Sequence, residues 1–336
     1  MTEHAEKSTA PSHSAGIALA LFSAAAFGTS GSFARSLLDA GWSPAAAVAA
    51  RVTTAALILL WPTLWSLRGR AHVVRRNLPL ILVYGVIAVA GAQLFFFNAV
   101  ARIPVGIALL LEYLGTILVV GWMWLRHGQK PRRLTTFGSI LALGGLVFVL
   151  NPSTAGGALN PAGVLWALGA AVGLATFFVL SARRDAELSP LTLAGLGLAI
   201  AAITLLLAGF LGVAPMNASF GLVDFAGRRV SWLVPVLGLS VVAAAISYLA
   251  AIAAARALGP RLSSFIGLTE VLFAVFFAWL FLGEAPTSVQ MAGGALIIGG
   301  VVLVHVDEMR GPDRDDERER SPGVGSGETE DEPLAA

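Results

Sequence analysis

The feature that most constrains this chain is a series of long apolar runs, each about as long as a helix that crosses a lipid bilayer. Such a helix takes about 20 apolar residues, and by that measure the chain holds ten. Their approximate ranges are 15–34, 45–67, 78–98, 104–125, 134–150, 162–182, 191–213, 231–255, 262–282 and 286–306. The runs are continuously apolar, whereas the strands of a membrane barrel alternate apolar and polar residues. The sequence therefore predicts an all-α polytopic membrane protein with ten transmembrane helices.

The composition excludes the main classes of soluble protein. Apolar residues make up 57% of the chain and charged residues only 12%, whereas a soluble domain carries about 25% charged residues. A soluble enzyme and a nucleic-acid binder are thus not expected. The chain has no cysteine, which rules out a disulfide framework and a thiolate metal site. Its five histidines lie in tails, in loops or at a span end, so no metal site and no cofactor are expected.

Lysine and arginine in the loops predict the orientation of the helices. With the N-terminus in the cytoplasm, the inner loops carry twelve basic residues and the outer loops carry four, namely Arg35, Arg102, Arg228 and Arg229. Cytoplasmic loops are enriched in these residues. We therefore expect a multi-pass protein of the bacterial plasma (inner) membrane with both termini in the cytoplasm.

The two ends of the chain differ in composition from the spans. Residues 1–14 are polar and are expected to form a short cytoplasmic tail. Residues 307–336 hold eleven of the twenty acidic residues and almost nothing apolar. Such a segment cannot bury enough surface to fold, so a disordered acidic cytoplasmic tail is predicted there.

The two halves of the chain match each other. Residues 15–21 resemble residues 162–168, and Thr29 then falls on Thr176. Farther on, at an offset of 155 residues, the matching pairs are Trp124 and Trp279, Gly128 and Gly283, Pro131 and Pro286, Gly138 and Gly293, and Gly144-Gly145 and Gly299-Gly300. Five spans separate the copies, so the second is inverted in the membrane relative to the first. This predicts one five-helix repeat over 15–150 and a second over 151–306, an arrangement typical of alternating-access transporters.

Glycines in the spans are interpreted as packing residues. Lipid supplies no hydrophobic force between helices, so small residues are needed to let helix backbones approach each other. We assign this role to Gly138, Gly144, Gly145, Gly169, Gly173, Gly293, Gly299 and Gly300.

Three ionisable residues lie within the spans, where a charge costs about 2.5–3.5 kcal/mol. Glu112 and Glu270 occupy nearly mirror-image depths near the middle of the membrane. One interpretation is that they line a water-accessible central cavity, where they exchange a proton or meet a cationic group of the substrate. The alternative is a structural glutamate that is permanently hydrogen-bonded. For Arg51, anchoring at the outer interface is favoured, with pairing to Glu112 as the alternative.

Uncharged polar residues at similar depths are weaker candidates for ligand binding. Each could equally satisfy a neighbouring helix. They are Gln93, Asn98, Tyr113, Thr116, Ser247, Tyr248, Ser263, Ser264 and Thr269.

Two stretches carry a resemblance to a known family. The run 268–274 (LTEVLFA) followed by Leu282-Gly283-Glu284 resembles the EamA-type members of the drug/metabolite transporter superfamily. The runs 102–108 (RIPVGIA) and 111–115 (LEYLG) are similar to its threonine/homoserine exporter branch. That branch usually has a proline where this chain has Thr116, so a proline kink beside Glu112 is not expected. The resemblance implies a plasma-membrane exporter of amino acids or related metabolites, coupled to protons, in which Glu112 and Glu270 are the motif acids.

We therefore expect a secondary transporter that exports small metabolites by alternating access, with protons as the coupling ion and membrane lipids as its surroundings. The chain has no G-x-x-x-x-G-K-[ST] nucleotide-binding motif, and no nucleic-acid partner is expected. The alternatives are a broad-specificity drug or cation efflux transporter, a membrane-embedded enzyme acting on lipid-linked substrates, and a scaffold without transport. The enzyme would need clustered acids or histidines at one membrane face, and the loops offer mainly arginines. The sequence leaves the substrate and the oligomeric state open.

Overall fold

The computed structural model describes residues 12–151, 160–183 and 188–310. Within these ranges ten helices are long and apolar enough to cross a membrane, which confirms the predicted fold class. They are α1 (His13–Asp39), α2 (Pro44–Ser66), α3 (Ala71–Val100), α4 (Val105–His127), α5 (Arg133–Leu150), α6 (Pro161–Ser181), α7 (Pro190–Phe210), α8 (Leu233–Leu258), α9 (Pro260–Leu282) and α10 (Ser288–Met309). The first helix ends five residues later than expected, and the third begins seven residues earlier.

Local sequence signals set most helix ends. Helices α2, α6 and α7 each begin with a proline that follows a capping side chain, which accepts hydrogen bonds from the first turn. The caps are Ser43, Asn160 and Ser189. Helices α4 and α9 end at Gly128 and Gly283, whose positive φ angles of 67° and 74° close the helix at little steric cost.

The helices pack as two five-helix units related by an approximate two-fold axis. Helix α5 packs along α10, and α2 packs along α7, so equivalent helices of the two repeats meet each other. Helix α1 packs on α8 and α9, while its counterpart α6 packs on α3 and α4. The contacts of one half are thus repeated in the other, as inverted repeats require.

Four glycines form the seam between α5 and α10. A Cβ atom added at Gly145 would lie 2.5 Å from the carbonyl oxygen of Gly293, and one added at Gly300 would lie 2.5 Å from that of Gly138. These two contacts exchange under the repeat, so the seam lies on the two-fold axis. Gly169 and Gly173 of α6 pack closely against α3 as expected. The prediction was wrong for Gly144, which faces open space; a Cβ at Gly299 would meet only a leucine methyl at 3.3 Å.

Several helices are irregular near their centres. Helices α3 and α8 contain π-helical turns over Tyr84–Gly91 and Gly238–Ile246, at matching positions of the two repeats. Helix α4 is interrupted at Leu114 and α9 at Leu268 and Thr269. Helix α1 is interrupted at Thr29, whereas α6 is continuous through Thr176. The irregularities of α3 and α4 therefore recur in α8 and α9, whereas the break in α1 has no counterpart in α6.

The segment between α7 and α8 holds a feature that the sequence analysis missed. Strands β1 (Leu222–Phe225) and β2 (Arg228–Ser231) form an antiparallel hairpin. Phe225 stacks on Phe33 of α1 and packs on Phe281 of α9, with ring centroids 5.0 Å and 5.6 Å apart. The hairpin therefore covers part of one end of the bundle.

The start of the C-terminal tail also differs from the prediction. Asp307 and Glu308 belong to α10, and the Asp307 side chain is buried because it accepts a hydrogen bond from Thr135 of α5. The rest of the tail, residues 311–336, lies outside the described residues, as do residues 1–11.

Candidate functional site

A cavity of about 500 Å³ lies at the centre of the bundle. Its walls come from α1, α2, α3, α4, α6, α8 and α9. Most of the wall is apolar, and Phe27, Phe97, Phe177 and Phe178 contribute aromatic rings. The lining reaches Arg35 and Pro44 at the α1–α2 connection and Val105 at the start of α4, so the cavity opens at that end of the bundle.

Glu112 and Glu270 both line this cavity, each beside the interruption of its helix. Glu112 precedes the break at Leu114 by two residues, and Glu270 is the first residue after the break at Thr269. Leu114 and Thr269 are equivalent at the 155-residue offset. Both side chains are half-buried, and they are close enough for their charges to interact. The two repeats thus place their acids in one cavity. Glu112 lies before the break in α4, and Glu270 lies after the equivalent break in α9.

The breaks form without proline, so α4 is interrupted beside Glu112 although the proline kink is absent, as Thr116 led us to expect. The amide of Leu114 bonds to the carbonyl of Leu111, and the amide of Thr269 bonds to that of Ile266. These hydrogen bonds between residues i and i−3 tighten one turn and change the direction of the helix axis. At α4, a Cβ on Gly115 would lie 2.7 Å from the carbonyl oxygen of Ala171, so glycine permits close approach to α6.

Three further predicted residues lie in the same cavity as the acids. The Tyr113 hydroxyl lies beside the Glu270 carboxyl, and Tyr248 lies beside Gln93. All three line the cavity. Tyr248 is held by Phe177, whose ring meets it edge-on at 5.5 Å. Tyr113 thus places a hydroxyl group beside Glu270, and Tyr248 and Gln93 add polar groups to the same cavity.

Arg51 is placed differently from the favoured expectation. Rather than reaching the outer interface, its side chain lines the cavity and is 4% exposed. Its guanidinium lies over the ring of Phe27, 4.9 Å from the centroid, and donates to the hydroxyl of Ser30 at 3.4 Å. Within the described ranges no carboxylate lies within ion-pair distance of it, so the predicted pairing with Glu112 is absent. The interruption of α1 at Thr29 places Phe27 and Ser30 around this arginine.

Three predicted site residues do not line the cavity. The Asn98 side chain donates to the carbonyl of Leu94 at 2.9 Å and accepts from Arg102, which anchors the end of α3. Thr116 is fully buried beyond the break in α4, which turns it away from Glu112. Thr269 donates to the carbonyl of Ile266 at 2.6 Å and borders a separate apolar groove between α1, α9 and α10.

Several residues of the site were not predicted from the sequence. Ser23 of α1 exchanges hydrogen bonds with Ser247 of α8 at 2.9–3.1 Å, which joins the two halves at the cavity wall. Phe178 lines the cavity and covers Gly267, next to the break in α9. Nothing in the sequence sets Phe177 and Phe178 apart from the other apolar residues of the spans, so no signal could have revealed them.

The end of the bundle opposite the opening is closed by polar contacts between the halves. Arg261 of α9 donates to the carbonyl of Gln129 in the first half at 3.1 Å. An ion pair with Glu308 of α10 at 3.4 Å, within the second half, holds this arginine in place. Thr135 donates to Asp307, as described above. His13 and His305 stack beside them, with ring centroids 5.4 Å apart.

Comparisons with known proteins agree with this architecture. The threonine/homoserine exporter RhtA of Escherichia coli K12 is 30% identical over 236 residues, which is 69% of this chain and 72% of the relative. RhtA of Salmonella typhimurium SL1344 is 28% identical over 70% of this chain and 72% of the relative. An uncharacterized transporter of Archaeoglobus fulgidus is 27% identical over 62% of this chain and 70% of its own length. One solved crystal structure shares the fold with a TM-score of 0.67 at 22% identity, over 89% of this chain and 96% of the other.

The family comparison divides the chain at the boundary between the repeats. The EamA-like transporter family matches residues 14–151 and again residues 161–306. The two matches coincide with the two five-helix units of the fold, each carrying one of the cavity acids. This chain therefore belongs to the EamA-like transporter family, and it is a multi-pass membrane transporter.

Proposed function

We propose that the protein exports amino acids or related small metabolites by alternating access, and that Glu112 and Glu270 carry the coupling protons. The observation that carries the proposal is the meeting of these two acids in one cavity that is open at a single end. The relatives named as threonine/homoserine exporters support an amino-acid substrate.

The arrangement of the repeats supports alternating access. A transporter of this kind opens one end of its cavity while it closes the other, and inverted repeats supply two halves that exchange conformations. With both termini in the cytoplasm, as the loop charges predict, the open end faces outward. Opening to the cytoplasm then requires separation of the Arg261–Gln129 and Thr135–Asp307 hydrogen bonds, which join the two halves at that end.

Proton exchange by the acids follows from their surroundings. A carboxyl group in the middle of a membrane is rarely placed without function, and such groups commonly mark proton pathways. The groups that face the two acids are Arg51 from α2, Tyr113 from α4 and Tyr248 from α8. Protonation and substrate binding at this cluster compete for the same carboxyl groups, which is the coupling that an exchanger needs.

The test uses inside-out membrane vesicles with an acidic lumen and labelled L-threonine or L-homoserine. The wild type accumulates substrate when the gradient is imposed. Glu112→Gln and Glu270→Gln lose this gradient-driven uptake but retain substrate exchange without a gradient. Glu284→Gln, in the exposed α9–α10 connection, is the matched control and transports like the wild type. Gradient-driven uptake by both glutamine variants at the wild-type rate would contradict the proton role.

The apolar and aromatic wall of the cavity favours a second candidate, efflux of lipophilic cations. The same vesicles distinguish the two functions when ethidium replaces the amino acid. Gradient-driven accumulation of ethidium without that of L-threonine or L-homoserine would favour drug efflux.

A further inference from the structure

Arg51 carries a positive charge deep in an apolar wall, and most of its hydrogen-bonding capacity is unused. Its Nε and Nη2 atoms are buried and have no hydrogen-bond partner among the described residues. The bond from Nη1 to Ser30, at 3.4 Å, is near the upper limit of such bonds. The ring of Phe27 attracts the positive charge of the guanidinium but has no oxygen or nitrogen that could accept hydrogen bonds from its N–H groups.

The charges around Arg51 are close enough to act on it but do not pair with it. Glu270 interacts with Arg51 electrostatically without reaching ion-pair distance, and the hydroxyl of Tyr248 lies beside the guanidinium. A hydroxyl cannot neutralise a cation. Removing one partner of a buried ion pair is strongly destabilising because a charge is left uncompensated. A site that holds such a charge in its resting state is therefore suited to receive an anion.

The fold itself does not require arginine at this position. Helices α2 and α7 are repeat equivalents that both begin with Ser-Pro, at Ser43 and Ser189. Counted from those starts, the residue of α7 that corresponds to Arg51 is Gly197, which packs against the ring of Tyr84. The charge is thus particular to the first repeat and to the cavity that α2 lines.

Arginine has the geometry to bind a carboxylate. Its planar fork presents parallel N–H groups that match the two oxygens of a carboxylate, whereas a lysine offers only a point charge. The acids lie elsewhere in the same cavity, where they attract a cation. A ligand that pairs with both Arg51 and the acids carries a carboxylate and an ammonium group. The rest of such a ligand contacts the apolar wall of the cavity.

We propose that Arg51 is the carboxylate-binding residue of the cavity, so that the transporter selects zwitterionic α-amino acids over the corresponding amides and amines. In this arrangement the substrate carboxylate binds Arg51 and its ammonium group faces Glu112 and Glu270. This inference rests on the proposed transport of amino acids, and it specifies which cavity residues bind the carboxylate of the substrate and which bind its ammonium group.

The test is calorimetric titration of the full chain in nanodiscs with two matched pairs of probes. The pairs are L-threonine with L-threoninamide and L-phenylalanine with L-phenylalaninamide, which keep the ammonium group and side chain and remove only the carboxylate. The wild type should bind each amino acid about 10- to 100-fold more tightly than its amide, as expected for hydrogen bonds between charged groups. By the same reasoning, Arg51→Gln should bind each amino acid and its amide with about equal affinity, while the affinity for the amide itself is kept.

The control variants separate a binding role from a structural one. Arg102→Gln removes another arginine near the open end, one that bonds within its own helix, and keeps the wild-type preference. Arg51→Lys keeps the charge without the fork, so its preference should lie between those of the wild type and Arg51→Gln. If Arg51→Gln does not fold, Arg51→Lys decides in its place, because loss of the fork alone must lower the preference.

The outcomes distinguish the two proposals. If Arg51→Gln and Arg51→Lys keep the full preference for the carboxylate, or if the wild type binds acid and amide equally, the role of Arg51 is overturned and amino-acid transport stands. If the wild type binds none of the four probes, both the role of Arg51 and the amino-acid substrate are overturned.

Discussion

The two ends of the helical bundle are held together by different chemistry, although the repeat makes the helices at each end equivalent. At the closed end, side chains that can carry a charge join the halves, as in the Thr135–Asp307 and Arg261–Gln129 hydrogen bonds. At the open end, the α7–α8 segment packs on the first half through the ring of Phe225 and through hydrogen bonds from the uncharged side chains of Trp42 and Ser43 to backbone carbonyls. Under the proposed alternating access, the side chains at the two ends decide which of the two conformations is more stable.

The largest expected effect concerns the glycine seam of α5 and α10. Gly145→Ala places a methyl group 2.5 Å from a backbone oxygen and should lower the free energy of unfolding by about 2–3 kcal/mol through overpacking. Gly144→Ala, one residue away, faces open space and should leave the melting temperature unchanged or slightly raised. Thermal melts in detergent measure both variants, and equal losses in the two would show that the seam is not where we place it.

The closed end should respond next. Asp307→Ala leaves the buried Thr135 hydroxyl without its partner, which weakens this end by about 1–2 kcal/mol. The chain has no cysteine, so a single Ser264→Cys, buried near the start of α9, reports opening through its rate of maleimide labelling. That rate should rise about 5- to 30-fold with Asp307→Ala if the population follows the free-energy change. An unchanged rate would mean that the Asp307 contact does not hold the end closed.

The hairpin at the open end should have a smaller effect. Phe225→Ala removes two ring contacts, each worth about 0.5–1.5 kcal/mol beyond area burial. We expect a modestly lower melting temperature and a smaller change in Ser264→Cys labelling than with Asp307→Ala, since every contact at the closed end is kept. Labelling that rises as much as with Asp307→Ala would mean that the contacts at the closed end are not what keeps it closed.

The smallest effect is expected at the exposed ion pair of Arg35 and Asp39 at the mouth of the cavity. The two side chains are 58% and 63% exposed and lie 2.9 Å apart. Solvent screens such a pair, so Asp39→Asn should change the free energy of unfolding by less than about 0.5 kcal/mol. A larger loss in the thermal melt would show that charge pairing stabilises the open end as well.

Much of the fold was predictable because lipid imposes simple requirements on a sequence. The ten spans followed from hydropathy, since a backbone in lipid must bond within its own helix. The inverted repeat followed from matched residues such as Trp124 and Trp279. The placement of Glu112 and Glu270 near mid-depth followed from counting residues along a helix of known rise.

The details of the site were not predictable in this way. Thr116, Asn98 and Thr269 lie at suitable depths but on other faces, because breaks and π-helical turns change the direction in which a residue points. Arg51 was expected at the interface because its distance from Pro44 allows snorkelling. The break at Thr29 instead places Phe27 and Ser30 around it, and no proline or charge in the sequence marks that break.

The sequence alone determined that this protein is a ten-helix membrane protein built from two inverted halves with an acid near the middle of each. The length of the apolar runs, the basic residues of the loops and the internal repeat are properties of the sequence itself, so they can be read without knowing which helices contact each other. Only the tertiary structure decided that both acids line one cavity, that Arg51 lies in the same cavity with unpaired N–H groups, and that one end of the bundle is closed. Those properties depend on contacts between distant segments and on helix irregularities that packing, rather than local sequence, stabilises.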